Sequence, residues 1–238
     1  MKSARNKREA FFGDVLRLLC ESGIPFMVGG SHGFMALTKT IRPTKDMDIL
    51  CMPKDVPRAL ALFRKAGYGT ELTHKEWLAK IYDADSYVDI IFRSSNRMNE
   101  VKRDFFDRAH KALVFGSRVQ VMSPEDMIVS KLYILSRDCF HGHDVYKIIR
   151  ALGNRIDWAM IWSRLKKDWQ VLYAHVLLFD FVFPKDRRKI PAWLRDELTE
   201  RASKLPGTNA EFRGNIVSLV DYKTPKQIAA LYAHPKKK

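Results

Sequence analysis

The sequence has few cysteines and lacks a long apolar run. Its three cysteines are scattered and odd in number, which argues against a disulfide framework. No apolar run approaches the ~20 residues that cross a bilayer as a helix. The basic N-terminal segment is soon interrupted by charged residues, which argues against a signal peptide. We therefore expect a protein of the reduced cytoplasm, with no membrane segment.

Acidic residues are scarce relative to basic ones. Lys and Arg number 42 against 27 Asp and Glu, which gives a formal net charge of +15. A domain this basic attracts polyanions, and nucleic acid is the commonest such partner. The alternative is that the excess charge mainly serves solubility. Because the basic residues are spread along the chain rather than confined to a tail, we favour contact with RNA or DNA.

Hydrophobic residues make up 46% of the chain, enough for a sizeable core. Their spacing predicts helices over residues 7–21, 31–37 and 55–66, strands over 25–28, 47–52, 78–82 and 87–92, and a hairpin over 113–122. Helical patterns dominate from there to about residue 203. We predict an α/β (α+β) fold in two parts: a small mixed sheet flanked by helices over residues 1–122, and a mostly helical region over 123–238.

Several local features of the helices can also be predicted. Ser31 could cap the N-terminus of the second helix. Ser123 followed by Pro124, with an acidic residue three positions after the cap, predicts a helix start. The very apolar stretch 171–183 is too short to span a membrane and predicts a buried core helix. Near the C-terminus, the sequence predicts a loop at residues 206–209 and a short helix from residue 224.

Two aspartates lie close together on the second predicted strand. Side chains two positions apart on a strand point to the same face, so Asp46 and Asp48 project together while Met47 and Ile49 enter the other side. Two like charges so close are costly unless a cation neutralises them or water solvates them. Hard oxygen ligands favour Mg²⁺ or Mn²⁺. The alternative is a solvated strand end with two incidental aspartates.

Two further features belong with this pair. Gly29-Gly30-Ser31 follows a predicted strand and precedes a helix, where the backbone can approach a phosphate closely, although such a segment can also be an ordinary turn. Asp89 stands inside an otherwise apolar predicted strand, where a lone carboxylate is hard to bury. A neighbouring strand could bring Asp89 beside the first two aspartates; alternatively, it could bind an Arg at the sheet edge.

In this order, the segment 29–31, the strand 46–48 and the later Asp89 resemble the polymerase-beta-type nucleotidyltransferase superfamily. Residues 42–48, Arg-Pro-Thr-Lys-Asp-Met-Asp, are similar to the Arg-x-Thr-x-Asp-hydrophobic-Asp signature of a bacterial branch of nucleotidyltransferase-like proteins. That branch includes toxins of toxin–antitoxin and abortive-infection systems. The resemblance covers about residues 24–150, and it implies a nucleotidyltransferase core.

The same branch has a later motif on a helix. A segment like 123–127 opens a helix that carries a Lys, here Lys131, and an Arg and a buried Asp follow, here Arg137 and Asp144. The resemblance implies that the helical region completes the site, with Lys131 as its candidate residue.

The resemblance implies a role for each candidate residue. Asp46, Asp48 and Asp89 would be the catalytic and metal-binding residues, holding two Mg²⁺ (or Mn²⁺) ions, with Asp89 nearest the attacking hydroxyl as a further candidate for the general base. The candidate nucleotide-binding residues are Gly29, Gly30, Ser31, Arg42, Lys45 and Lys131. Each of the three cations has an alternative role. Arg42 could be a loop charge, Lys45 could offset the charge of the aspartate pair, and Lys131 could be a solvated residue on its helix.

The implied reaction moves a nucleoside monophosphate from a nucleoside triphosphate to a hydroxyl group. The positive charge indicates RNA, with the 3′ end of tRNA as a candidate, and the branch indicates an antitoxin protein as a candidate partner. Two alternatives stay open. One is transfer to a small molecule, as in aminoglycoside-modifying relatives, although a cationic substrate calls for an acidic pocket. The other is an RNA-binding protein that keeps the fold without catalysis.

Overall fold

The structure is a computed structural model and describes residues 2–84, 86–94, 99–136 and 139–204. The strands in these ranges are β1 (Phe26–Val28), β2 (Asp46–Cys51), β3 (Gly69–His74), β4 (Leu78–Asp83), β5 (Ser86–Ile91), β6 (His110–Val114), β7 (Ser117–Val121), β8 (Leu135–Ser136) and β9 (Cys139–Phe140). The helices are α1 (Lys2–Ser22), α2 (Gly30–Thr38), α3 (Val56–Lys65), α4 (Arg103–Arg108), α5 (Pro124–Tyr133), α6 (Gly142–Leu152), α7 (Trp158–Leu165), α8 (Trp169–Val182) and α9 (Ala192–Ser203).

Seven strands form one mixed sheet in the order β3-β4-β5-β2-β1-β7-β6. Strand β2 lies at the centre, antiparallel to β1 and parallel to β5. Strand β7 pairs in parallel with β1, and its hairpin partner β6 forms one edge. The predicted mixed α/β architecture with a helical C-terminal region is confirmed. The central position of β2 matters because both of its aspartates then lie away from the sheet edges.

The two faces of the sheet bury different clusters of apolar side chains. On one face, Met47 and Ile49 of β2 pack with residues of α1 and α3. On the other face, Leu50 packs in a cluster that extends through α2 and the helices α5–α9. The alternation predicted for this strand is confirmed, because Met47 and Ile49, which alternate with the aspartates, are buried on the α1/α3 face. The aspartates therefore share the face covered by the C-terminal helices.

Two serines were predicted to cap the N-termini of helices. The Ser123 side chain accepts a hydrogen bond of 3.0 Å from the amide of Asp126, with Pro124 in the first turn, as predicted. The predicted Ser31 cap is wrong: α2 begins at Gly30, and Gly29 is its N-cap without a side-chain hydrogen bond. Strand β3 and the two-residue strands β8 and β9 were not predicted. The C-terminal loop and short helix predicted beyond residue 204 lie outside the described residues.

Helix α8 contains the apolar stretch that predicted a buried core helix. Leu172, Val176 and Phe179 are buried as expected. The opposite side of the helix is exposed, and its large apolar side chains include Leu177 and Phe181. The prediction of a buried core helix is therefore correct for one side of α8 only, because the described residues cover that side and leave the other exposed. None of the described helices combines the length and apolar character needed to cross a membrane.

His175 on α8 makes stability depend on pH. It is buried against Phe140 and Tyr146, and neither ring nitrogen has a hydrogen-bond partner among the described residues. Burial lowers the pKa of His175 to about 4, whereas a histidine in the unfolded chain has a pKa of ~6.5. The unfolded state thus binds more protons below that pH, and about 3 kcal/mol of stability is lost as pH falls from ~6.5 to ~4.

We therefore expect His175→Leu to flatten the pH dependence of the free energy of unfolding between pH 7 and pH 4, measured by urea unfolding. His143→Leu, at an exposed position on α6, is the control and should leave the profile as in the wild type. An unchanged profile in His175→Leu would show that another group causes the acid sensitivity.

Candidate active site

Three carboxylates meet on one face of the central strands. Asp46 and Asp48 alternate with buried residues on β2, and the parallel register places Asp48 directly opposite Asp89 on β5. The Thr44 hydroxyl donates a hydrogen bond of 2.6 Å to Oδ1 of Asp46, which fixes that carboxylate at the start of the strand. The structure thus brings together the three predicted acidic residues, which are far apart in sequence.

The carboxylates repel one another in a partly desolvated setting. Burial, followed by the negative charges of Asp46 and Asp89, raises the pKa of Asp48 to about 7. Burial also raises the pKa of Asp89, although the ammonium group of Lys80 opposes the shift. A site that penalises its own negative charge in this way favours the uptake of a proton or of a cation.

The donor set fits a hard divalent cation, because all three side chains offer carboxylate oxygens. Within the part of the chain that the structure describes, no three His, Cys, Asp or Glu side chains form a group that could hold a metal ion. Asp89 instead forms an ion pair with Lys80. The alternative prediction was that Asp89 binds an Arg at the sheet edge. The structure shows a similar ion pair, in which the cation is a Lys of β4.

The glycine turn lies directly against Asp48. The amide of Gly29 donates a hydrogen bond of 2.9 Å to the carbonyl oxygen of Asp48. Gly30 has a φ of +48°, and a Cβ atom built there would lie 1.6 Å from Oδ2 of Asp48. Only glycine leaves room for this carboxylate at the N-terminus of α2. The first amides of α2 and the side chain of Ser31 consequently sit beside the carboxylates, at the helix end that favours anions.

Gly30→Ala should reduce transfer activity by about 100-fold, because the new methyl group must displace the Asp48 carboxylate by an ångström or more. Gly116→Ala is the matched control: Gly116 also has a positive φ, of +79°, but nothing lies within 4 Å of its added Cβ. Both variants carry backbone strain, so steady-state kinetics should separate strain from the clash. Equal activity of the two variants would contradict the proposed role of the turn.

A cavity of about 390 Å³ opens beside the carboxylates. Gly30, Ser31, Asp46 and Asp48 line one part of it, and the described residues lining the remainder are Arg42, Pro43, Thr44, Leu50, Ile91, Arg93, Ser94, Asn99, Val101, Phe105, Met122, Met127, Ser130, Lys131, Ile134 and His141. Gly29, Lys45 and Asp89 are predicted site residues that do not belong to this lining. The Lys45 side chain is exposed, next to the strand start.

A buried carboxylate holds two cations at the cavity wall. Nη1 of Arg42 donates to both carboxylate oxygens of Asp144, at 2.7 and 2.6 Å, and Nζ of Lys131 donates to Oδ2 at 2.7 Å. Burial would raise the pKa of Asp144, but the hydrogen bonds and charges of Lys131 and Arg42 hold it below its ordinary value. The cluster carries one net positive charge at the cavity. Arg137, the other residue of this predicted motif, lies outside the described residues.

Sequence reasoning missed a second ionic network behind the cavity. Asp126 is fully buried and binds Arg108 at 2.9 and 3.0 Å and Arg164 on α7. Arg164 also donates a hydrogen bond of 2.7 Å to Oδ1 of Asn99, which lines the cavity. The sequence shows Asp126 only as part of a helix start. No local pattern relates it to Arg164 on a distant helix.

A family model described as "Uncharacterised nucleotidyltransferase" matches residues 13–178. A search of curated protein sequences gave no match.

Among solved structures, the lincosamide antibiotic adenylyltransferase LnuA bound to lincomycin is 17% identical, with a TM-score of 0.43, and the match covers 59% of this chain and 94% of that one. The antibiotic-resistance factor ANT(2'')-Ia is 15% identical, with a TM-score of 0.43 and coverages of 84% and 95%. JHP933 from Helicobacter pylori is 14% identical, with a TM-score of 0.43 and coverages of 86% and 97%.

Proposed function

This chain belongs to the uncharacterised nucleotidyltransferase family, and we propose that it transfers a nucleoside monophosphate from a nucleoside triphosphate to a hydroxyl group of RNA. The observation that carries this proposal is the juxtaposition of Asp48 and Asp89 in register beside the glycine turn at the N-terminus of α2. Two of the carboxylates, the first residues of α2 and two cations line a single cavity; they are Asp46, Asp48, Gly30, Ser31, Arg42 and Lys131.

The acidic residues perform the chemistry in this proposal. Asp46 and Asp48, with Asp89, would hold Mg²⁺ or Mn²⁺, which supplies Lewis-acid stabilisation of charge on the transferring phosphoryl group. Asp89 accepts the proton of the attacking hydroxyl group. The hydroxyl oxygen forms a bond to the α-phosphorus as the bond from that phosphorus to the bridging oxygen breaks. Pyrophosphate leaves with the electron pair of the broken bond.

The turn and the cations bind the triphosphate. Gly29 and Gly30 allow close approach of the phosphates to the first amides of α2, and the Ser31 hydroxyl adds a donor. Arg42 and Lys131 line the same cavity, where both are held by Asp144. Lys45 is exposed just before the start of β2 and would attract the triphosphate from outside the cavity.

The helical part completes the site in this proposal. Lys131 lies on α5, beyond the proposed boundary at residue 122, yet it lines the cavity together with Asp46 and Asp48. We propose residues 1–122 as the catalytic domain and 123–238 as the helical region that completes the site and contacts the acceptor. The exposed basic residues Lys185, Arg187 and Arg188 follow α8 and offer contacts to phosphates.

RNA is the acceptor that the charge favours. A net charge of +15 gives the protein a field that attracts polyanions and repels cationic antibiotics. If RNA phosphates contact several Lys and Arg side chains, the affinity falls steeply with salt. An antitoxin partner and a cytoplasmic location complete the proposal, and co-purification from the native host tests the former.

The decisive experiment incubates the protein with each labelled nucleoside triphosphate, magnesium and total RNA, alongside an Asp46→Ala/Asp48→Ala variant. Label that enters RNA with the wild type alone supports the proposal. Label that enters only small molecules from an extract indicates the small-molecule transferase. Absence of transfer, with salt-sensitive RNA binding intact, indicates the non-catalytic RNA-binding protein.

A further inference from the structure

A lysine continues the row of acidic residues across the sheet. The register of β4 and β5 pairs Lys80 with Asp89, and the register of β5 and β2 pairs Asp89 with Asp48. Directly paired residues of neighbouring strands point to the same face of a sheet. Lys80, Asp89 and Asp48 therefore form one cross-strand row, with the positive charge at one end.

The lysine is held in place from two sides. Its ammonium group forms an ion pair with Oδ1 of Asp89 and lies 4.2 Å from the centre of the Tyr87 ring. Only 19% of the Lys80 side chain and 16% of the Asp89 side chain are exposed. A surface lysine keeps its ammonium group in water, so this burial indicates a fixed position rather than a solvated charge. The ring and the carboxylate together define that position.

We infer that Lys80 is a positioning residue that supplies the counter-charge of Asp89 and withholds this third carboxylate from divalent cations until a nucleotide is bound. The inference rests on the proposed function, because it assigns Asp89 to the site of metal-dependent transfer. A divalent cation approaching Asp89 must displace the ammonium group or bind beside it, and like charges at such short range repel strongly.

The nucleotide offsets this repulsion. Its triphosphate brings several negative charges to the glycine turn beside Asp48, so the combined site with nucleotide tolerates both Lys80 and divalent cations. Without nucleotide, Lys80 already neutralises Asp89, and an added cation has less negative charge to bind. Cation binding at Asp89 is then coupled to nucleotide binding. The coupling would keep the carboxylates from being filled by metal alone.

Mn²⁺ binding to the full-length protein without nucleotide tests this inference, with the free ion measured by electron paramagnetic resonance. Lys80→Met should raise the Mn²⁺ affinity by about tenfold, the order expected when one positive charge is removed beside a partly solvated carboxylate. Lys80→Arg keeps the charge and should bind as the wild type does. Lys80→Met/Asp89→Asn should bind no more tightly than Asp89→Asn alone, because the gain must act through Asp89.

Unchanged or weaker binding of Mn²⁺ by a folded Lys80→Met variant would overturn the inference, as would an equal gain in the Asp89→Asn background. Circular dichroism checks folding, and Lys80→Gln replaces Lys80→Met if the latter does not fold. This readout is independent of transfer. Tighter Mn²⁺ binding by Lys80→Met, with no nucleotide transfer by the wild type, would contradict the proposed function but support the Lys80 inference. Transfer by the wild type, with unchanged Mn²⁺ binding by Lys80→Met, would support the proposed function and contradict the Lys80 inference.

Discussion

Asp48→Asn is expected to lower the rate of nucleotide transfer by about a thousandfold or more while raising the melting temperature of the metal-free protein at pH 8. Activity falls because the amide is a poor ligand for a hard cation and carries no negative charge. The size of Asn is the same, so the glycine turn and the cavity keep their shape. Steady-state kinetics with the acceptor found in the labelling experiment provides the first measurement.

The gain in stability follows from the pKa of Asp48. Burial and the neighbouring carboxylates raise it to about 7 in the folded protein, above the ~3.9 of an unfolded Asp. A carboxyl group shifted in this direction gives stability that is fully present below the unfolded pKa and is lost as pH rises through the folded pKa. The advantage of Asn over Asp is therefore largest above pH 7 and shrinks as pH falls toward ~4.

Thermal unfolding in the presence of a chelator, at pH 8 and pH 5, measures this second effect. Asp83→Asn is the control, because Asp83 is exposed at the end of β4 and should change neither activity nor stability. An Asp48→Asn variant that lost both activity and stability at pH 8 would show that this carboxylate supports the fold. That result would contradict the prediction that the charged Asp48 carboxylate destabilises the folded protein. Such a cost is typical of sites where function opposes stability.

Asp126→Ala should cost about 3–5 kcal/mol of unfolding free energy, which is the usual effect of removing one partner from a buried ionic network. The fully buried Asp126 binds both Arg108 and Arg164, and its carboxylate also accepts a hydrogen bond from the Ser123 hydroxyl. Its removal takes the buried counter-charge away from both guanidinium groups. We expect a fall in melting temperature of about 10 °C for a chain of this size.

Asp104→Ala is the matched control for this prediction. Asp104 binds the same Arg108, at 3.0 Å, but 56% of its side chain is exposed. An exposed ion pair contributes about 0–1 kcal/mol, so urea unfolding should find the two variants several kcal/mol apart. If both variants cost the same, then burial does not determine the strength of this network, and solvent must reach Asp126 more freely than the structure shows.

Asp126→Ala should also disturb the cavity. Arg164 joins Asp126 to Oδ1 of Asn99, so the loss of one carboxylate frees an arginine that fixes a cavity wall. A residue buried behind the site thus contributes to its shape.

Local sequence patterns predicted much of the central sheet because they depend on near neighbours. The alternation of Asp46, Met47 and Asp48 follows from strand geometry alone, and the structure shows it. The Ser123 cap depends on residues within one helical turn and is also confirmed. Ser31 was the wrong choice as a cap because Gly29, with no side chain to signal it, can adopt the cap position equally well.

Contacts set by tertiary structure could not be predicted in this way. Lys80 meets Asp89 only through the register of a hairpin, and a shift of one residue would point it to the other face. Arg42 and Asp144 are 102 positions apart in sequence. The exposure of Phe181 on α8 likewise depends on what packs beside that helix, since large apolar side chains lie on its exposed side as well as on its buried side.

The parallel pairing of β2 with β5 has a consequence for how the protein folds. Asp48 and Asp89 are neighbours at the sheet centre, but α3 and the β3-β4 hairpin lie between them in the sequence. Closing so long a loop delays such contacts relative to local ones. The acidic cluster is therefore expected to assemble late. A nascent chain that has not yet emerged past β5 carries Asp46 and Asp48 without the strand that brings Asp89 beside them.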